Sequence, residues 1–171
     1  MILSMRMRNI ALIEELSLEF GEGLHVMTGE TGAGKSIVVD AVNLVLGGRA
    51  ARELIRTGTD KAWVEAVFDA SGNEEVAKWA QAQALDDFDG TVTLYREITR
   101  SGRNLCRVCG VVMPLSALKD IAVLLMDVHG QHEAQFLMNS QYHLLFLDAA
   151  GGDDSVSYTH LRAHETGRNL V

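Results

Sequence analysis

The sequence predicts an α/β fold: a mixed sheet that contains a phosphate-binding loop, flanked by helices and joined to an antiparallel β subdomain. Three observations support this prediction. Several segments alternate apolar and polar residues with the period of a strand, other segments place apolar residues at helical spacing, and a glycine-rich segment joins an apolar run to a helix.

The first 20 residues are typical of two strands. Residues 16–20 alternate Leu and Phe with Ser and Glu, which is the pattern of a sheet with one wet face. The glycines of 21–23 turn the chain into the short apolar run 24–27, which we expect to be a buried strand. This strand leads directly into the glycine-rich segment.

Strands and helices continue to alternate after that segment. Apolar residues recur at helical spacing from Ile37 to Leu46, and Gly47-Gly48 is a helix stop signal. We then predict a short helix at 49–57, a strand at 62–69, a helix at 74–84, a hairpin of 91–99 and 104–112, a helix from Pro114 to about 124, a short buried strand at 125–128, and a last helix capped by Asn139 or Ser140.

The segment 151–171 differs from the rest of the chain because it shows neither strand nor helical periodicity. Residues 157–166 read SYTHLRAHET, which resembles a peptide produced when sequencing adapter is translated as coding sequence. We therefore interpret 1–150 as the domain, and 151–171 as a non-native or disordered tail without a site.

Composition restricts the possible functions. The chain has 15 Lys and Arg against 23 Asp and Glu, a net charge of −8, so any contact with DNA must be local. No apolar stretch reaches the length of a membrane span, and the N-terminus does not have the pattern of a signal peptide. We expect a cytoplasmic protein that does not cross a membrane.

The two cysteines, Cys106 and Cys109, have the C-x-x-C spacing of zinc ligands, and His129 and His132 are the nearest histidines. The distance between the two pairs is longer than in familiar zinc fingers, and the histidines are too close together. We therefore predict two reduced thiols and no zinc.

The phosphate-binding loop pattern G-x-x-x-x-G-K-[ST] is the strongest chemical signal. Backbone amides of such a loop, and of the helix that follows it as far as Ile37, point at a phosphate, which indicates a nucleoside triphosphate. We expect Lys35 to reach the β- and γ-phosphates and the Ser36 hydroxyl to bind Mg²⁺. The pattern is matched by Gly29, Glu30, Thr31, Gly32, Ala33, Gly34, Lys35 and Ser36.

A metal-binding carboxylate would make the chain a stand-alone P-loop phosphotransferase. Asp127 is the candidate, since it follows the apolar run 121–126 as a Walker B aspartate would. No glutamate follows it, and Pro114 favours a helix rather than a strand before it. A non-enzymatic interaction module is a further alternative.

Four stretches carry a family resemblance over residues 1 to about 150. The run Val128 to Glu133, with Gln131 at its centre, resembles the Q-loop of the RecN family, bacterial DNA repair proteins of the SMC-like group of ABC-type ATPases. The other similar stretches are 10–16, 28–36 with 47–50, and 96–98 followed by Arg103 and Arg107.

The resemblance implies the N-terminal half of an ATPase head built from both ends of a long polypeptide with a coiled-coil arm. Lys35 and Gln131 would act in catalysis, Ser36 and Gln131 would hold Mg²⁺, and two heads would form a homodimer around ATP. The complete protein would bind DNA in the nucleoid, in recombinational repair of double-strand breaks. The signature and Walker B sequences of the family are missing here, so we expect weak ATP binding and no hydrolysis by this chain alone.

Four arginines, Arg96, Arg100, Arg103 and Arg107, fall on the predicted hairpin because Ser101-Gly102 interrupts a helix there. They could bind a phosphate of the nucleotide or of DNA, or they could be solvated residues paired with Glu97 or other acids, which we favour. We interpret His129 and His132 as residues that order a loop.

Overall fold

The computed structural model describes residues 1–29, 34–85, 88–126 and 128, which all belong to one compact unit, Met1–Val128. The described elements follow one another in a mixed α and β order. They are β1 (Ile2–Ile10), β2 (Ile13–Glu19), α1 (Lys35–Val45), a 3-10 turn (Arg52–Leu54), β3 (Lys61–Asp69), α2 (Glu74–Ala82), β4 (Thr91–Thr99), β5 (Asn104–Val108), β6 (Val111–Met113) and α3 (Leu115–Leu125).

The six strands form one sheet in the order β2-β1-β3-β4-β5-β6, and each neighbouring pair is antiparallel. The register places residues of the same character opposite one another. Met7, for example, lies opposite Leu16 on β2 and Val64 on β3. Because the side-chain period is two, this register sends one set of apolar residues to a single face.

The helices cover that apolar face. Helix α1 contacts β1, β3 and β4, α3 contacts β5, and α2 packs on α3. Burial of the apolar side chains between the helices and the sheet drives the folding of the described unit. The core includes Met5, Met7, Leu44, Val64, Phe68, Leu94, Leu118 and Ile121.

Backbone and side-chain signals set the ends of the helices. Helix α1 stops at Gly47, whose φ of 96° is in the left-handed region that favours glycine. Asn73 caps α2 by accepting hydrogen bonds from Glu75 N at 3.1 Å and Val76 N at 3.2 Å. The same side chain donates to the carbonyl oxygen of Leu124 at 3.1 Å and ties α2 to α3.

The α/β class, the antiparallel subdomain and most of the elements are confirmed. The structure also shortens two of the predicted elements. The helix expected at 49–57 is only a 3-10 turn, and the strand expected at 104–112 is divided by a turn at Cys109-Gly110. Cys109 has a φ of 49°, which is uncommon for a residue other than glycine, so the sequence carries little signal for this turn.

The strand expected at 24–27 does not form. This segment pairs with no strand in the described part of the chain, and the side chains of Leu24 and Val26 are 91% and 71% exposed. An apolar run becomes a strand only where neighbouring backbone can satisfy its N–H and C=O groups. The expected sheet around the phosphate loop is therefore not seen among the described residues.

The strand expected at 125–128 is also not found in its described residues. Leu125 ends α3, and Met126 and Val128 belong to no strand. Asp127, the predicted helix near Asn139 or Ser140, and the tail at 151–171 lie outside the described residues. None of the described helices is long and apolar enough to cross a membrane.

Candidate functional site

The phosphate loop leads directly into α1. Gly34 is the N-cap residue with a φ of 94°, a conformation that side chains rarely adopt, and Lys35 and Ser36 are the first residues of the helix. The Lys35 ammonium group donates a hydrogen bond to the carbonyl oxygen of Gly29, at the other end of the loop. The predicted lysine and the first glycine of the pattern are therefore brought together.

The start of α1 is suited to an anion. No acidic side chain lies in its first turn, and no described side chain caps the amides that follow Gly34. Unpaired amides and the positive end of the helix dipole favour negative charge at this position. Ser36 is exposed here, so its hydroxyl is accessible to a ligand at the same helix end.

Several predicted site residues lie outside the described residues: Glu30, Thr31, Gly32, Ala33, Asp127, His129, Gln131 and His132. One of the alternatives is nevertheless weakened. The apolar run before Asp127 is helical through Leu125, so the described residues contain no strand that would carry a Walker B aspartate.

Arg96 departs furthest from the role that the sequence predicts for it. It is 1% exposed, and its guanidinium group donates to the carbonyl oxygens of Leu44 at 2.8 Å and Gly48 at 2.6 Å, and to Asn104 Oδ1 at 3.3 Å. Burial lowers the pKa of this group from its usual value. The prediction of a solvated arginine paired with an acid is wrong for Arg96.

The contacts of Arg96 give it a structural role beside the site. Leu44 and Gly48 lie at the end of the helix that begins at the phosphate loop, so this arginine ties that helix to β4. The alternation of β4 carries the signal that was missed. Val92, Leu94 and Ile98 all face the core, and Arg96 has the same parity.

Arg100 and Arg107 also differ from the prediction. Arg100 donates to the carbonyl oxygens of Thr59 at 2.6 Å and Arg56 at 3.0 Å, and so holds the segment before β3 against the hairpin. Arg107 lies over the ring of Tyr95, with 5.3 Å to the ring centroid. Neither residue forms an ion pair among the described residues, and Glu97 instead pairs with Lys61 at 3.0 Å.

Cys106 and Cys109 are free cysteines. Burial raises the pKa of the Cys106 thiol, and nearby Arg96 lowers it to a smaller extent. Within the described ranges, no group of three or more His, Cys, Asp or Glu residues could hold a metal ion.

A family model described as AAA domain matches residues 4–104, which include the candidate site and most of the sheet. The chain belongs to the AAA domain family. Its curated relatives include DNA repair protein RecN of Bacillus subtilis, 41% identical over 152 residues, and RecN of Vibrio cholerae, 41% identical over 152 residues. These alignments cover 89% of this chain but only 26% and 27% of the two relatives.

The chain is therefore a RecN homologue that spans about a quarter of the length of these relatives, at their N-terminal end. Solved SMC head structures share its fold. The Smc head domain from Pyrococcus furiosus, with an extended coiled coil, has a TM-score of 0.66 at 20% identity, covering 96% of this chain and 45% of the other. The SMC head domain from Thermotoga maritima has a TM-score of 0.59 at 20% identity, covering 82% and 51%.

Proposed function

We propose that this chain is the ATP-binding N-terminal part of an SMC-like ATPase head that acts in recombinational repair of DNA double-strand breaks. The observation that supports this most is the position of the phosphate-loop pattern at the start of α1. The left-handed Gly34, the uncapped first turn and the Lys35 ammonium group are together at one helix end. The similarity to RecN supports the assignment to DNA repair.

Within this proposal, Lys35 and the amides from Gly29 to Ile37 bind the phosphates of ATP. A bound Mg²⁺ would neutralise charge on the β- and γ-phosphates, and Ser36 and Gln131 would supply oxygen ligands to it. Ser36 has an exposed hydroxyl in the first helical turn, which is suitable for a hard cation. Its oxygen therefore fits the metal.

The proposal also includes a completed pocket. The exposed apolar segment at Leu24 and Val26 lies just before the phosphate loop, where a buried strand would support the loop. A further part of a longer protein would pair with this segment and would add the signature and Walker B sequences. Two such heads would then enclose ATP as a homodimer in the cytoplasm, and hydrolysis would change how the complete protein holds DNA.

The proposal is tested by thermal unfolding of the 171-residue chain with and without ATP and Mg²⁺. A ligand that binds only the folded state at ten times its Kd stabilises that state by about 1.4 kcal/mol. We expect Tm to rise with ATP for the wild type and not for Lys35→Ala. If ATP does not change the Tm of the wild type, the result would instead support a non-enzymatic interaction module.

Release of inorganic phosphate from ATP distinguishes the proposed function from the remaining alternative, a stand-alone phosphotransferase. We expect no release by this chain alone, because the proposed pocket is incomplete. Vigorous Mg²⁺-dependent release by the chain alone, abolished by Asp127→Asn, would contradict the proposal and support a stand-alone phosphotransferase.

A further inference from the structure

Two neighbouring segments concentrate positive charge in a chain that is acidic as a whole. Residues 49–60 and 99–104 contain five arginines and only two carboxylates, whereas the chain has a net charge of −8. These two segments lie together, because Arg100 binds the carbonyl oxygens of Ile55, Arg56 and Thr59. We call the pair of segments the basic end.

The basic end is held in a defined shape. The backbone amide of Arg100 donates to Asp60 O at 2.9 Å, and the Arg56 guanidinium group donates to Leu12 O at 2.5 Å. Arg56 and Arg100 are therefore occupied by backbone carbonyls, which accept hydrogen bonds but carry no full negative charge. Their positive charge is not neutralised by these contacts.

A cavity of about 230 Å³ opens between the two segments. Arg52 and Arg103 both line it, together with Thr99 and Asn104. Arg52 lies beside the turn at Gly102, since a Cβ on Gly102 would be 3.4 Å from Arg52 Nη2, an ordinary van der Waals contact. Within the described ranges, neither Arg52 nor Arg103 donates a side-chain hydrogen bond or forms an ion pair.

We infer that the basic end is a binding site for the phosphodiester backbone of DNA, with Arg52 and Arg103 as the contacting residues. Two guanidinium groups at one cavity, without a carboxylate partner, match the bidentate geometry of phosphate oxygens. The excess of arginine around the cavity favours a polyanion with repeated phosphates over a single free phosphate. This inference rests on the proposed role in DNA repair.

The cavity shares no lining residue with the phosphate loop. Its lining comes from residues 50–55 and 98–104, whereas the phosphate loop spans 29–36. The two sites can therefore be separated by mutation. Arg52 and Arg103 are both exposed, so replacing them leaves the core intact.

The test measures fluorescence anisotropy of a labelled 20-base-pair duplex with the 171-residue chain, the double variant R52A/R103A and the control R6A/R8A. The control removes the same charge from two exposed arginines on β1. We expect a wild-type Kd on the order of 10⁻⁵ M. We expect at least tenfold weaker binding for R52A/R103A, a change of less than twofold for the control, and a salt slope that falls by about 2.

The competing outcomes overturn the inference in different ways. Equal losses in both double variants would mean that only net charge matters, and an unchanged Kd in R52A/R103A would remove the site. Competition by millimolar inorganic phosphate would assign the cavity to a free anion. The effect of ATP on Tm is measured on the same proteins. A chain whose Tm rises with ATP but that does not bind DNA contradicts this inference alone. A chain that binds DNA but whose Tm does not change with ATP contradicts the proposed function alone.

Discussion

The guanidinium group of Arg96 and the carbonyl oxygen of Gly48 are joined by a hydrogen bond of 2.6 Å, which fixes the end of α1 to the middle of β4. A second bond, to Leu44 O, holds the last turn of the same helix. The phosphate loop leads into the N-terminus of this helix, and Arg96 holds its C-terminal end. The position of the candidate site relative to the sheet therefore depends on a buried arginine.

Replacing Arg96 with methionine is expected to destabilise the protein by about 2 to 4 kcal/mol, because the carbonyl oxygens of Leu44 and Gly48 lose their donor in a buried environment. Urea unfolding followed by circular dichroism measures this change. Arg107→Met is the control and should cost about 1 kcal/mol or less, since that guanidinium group only covers a partly exposed ring. Equal costs for the two variants would argue against the role of Arg96.

Gly48→Ala is expected to destabilise the protein by about 1 to 3 kcal/mol, because a Cβ there would lie 2.6 Å from the carbonyl oxygen of Asn43. Gly72→Ala is a matched control: neither glycine has a positive φ, and a Cβ on Gly72 would meet nothing within 4 Å. Chemical unfolding of both variants gives the comparison. A Gly48→Ala protein as stable as Gly72→Ala would contradict the close approach.

Asn73→Ala is expected to cost about 1 to 2 kcal/mol, since it removes the cap of α2 and the bond to Leu124 O. Gln81→Ala, at an exposed position of the same helix, should change stability very little. The difference in urea midpoint between the two variants reports the cap. No difference would mean that the cap is dispensable.

Stability should fall as pH rises from about 10 to about 12, because burial raises the pKa of Tyr95 to about 12 and the Glu97 carboxylate adds to the increase. The folded protein keeps the phenol proton while the unfolded chain releases it near pH 10, so deprotonation favours unfolding in this window. Thermal unfolding across this window is compared between wild type and Tyr95→Phe. If Tyr95→Phe loses as much stability as wild type, another group is responsible.

The sequence predicted what depends on local pattern. The alternation in β3 and β4 and the apolar spacing of α1 decide which face is buried, so these elements were correctly placed. The strand predicted at 24–27 does not form, because a strand also needs a neighbouring strand to pair with. The spacing of apolar residues in the sequence does not show whether such a neighbour is present. The turn at Cys109 was not predicted, because its backbone conformation is uncommon for a cysteine.

The candidate site can be proposed from the sequence alone because its chemistry is local to eight consecutive residues. The role of Arg96 was not predicted, since its partners Leu44 and Gly48 are about fifty positions away in the chain. Long charged side chains inside a core are rare, and the exposed alternative was the ordinary choice. The roles predicted for Lys35, Ser36, Gln131 and the rest of the phosphate loop stay predictions.

The most direct test of the central claim is a titration of the 171-residue chain with a fluorescent ATP analogue in the presence of Mg²⁺. Lys35→Ala removes the proposed phosphate ligand, and Lys78→Ala removes an exposed lysine on α2 as a control. We predict that the Kd rises at least tenfold for Lys35→Ala and less than twofold for Lys78→Ala. Equal affinity of wild type and Lys35→Ala would contradict the assignment of the phosphate loop.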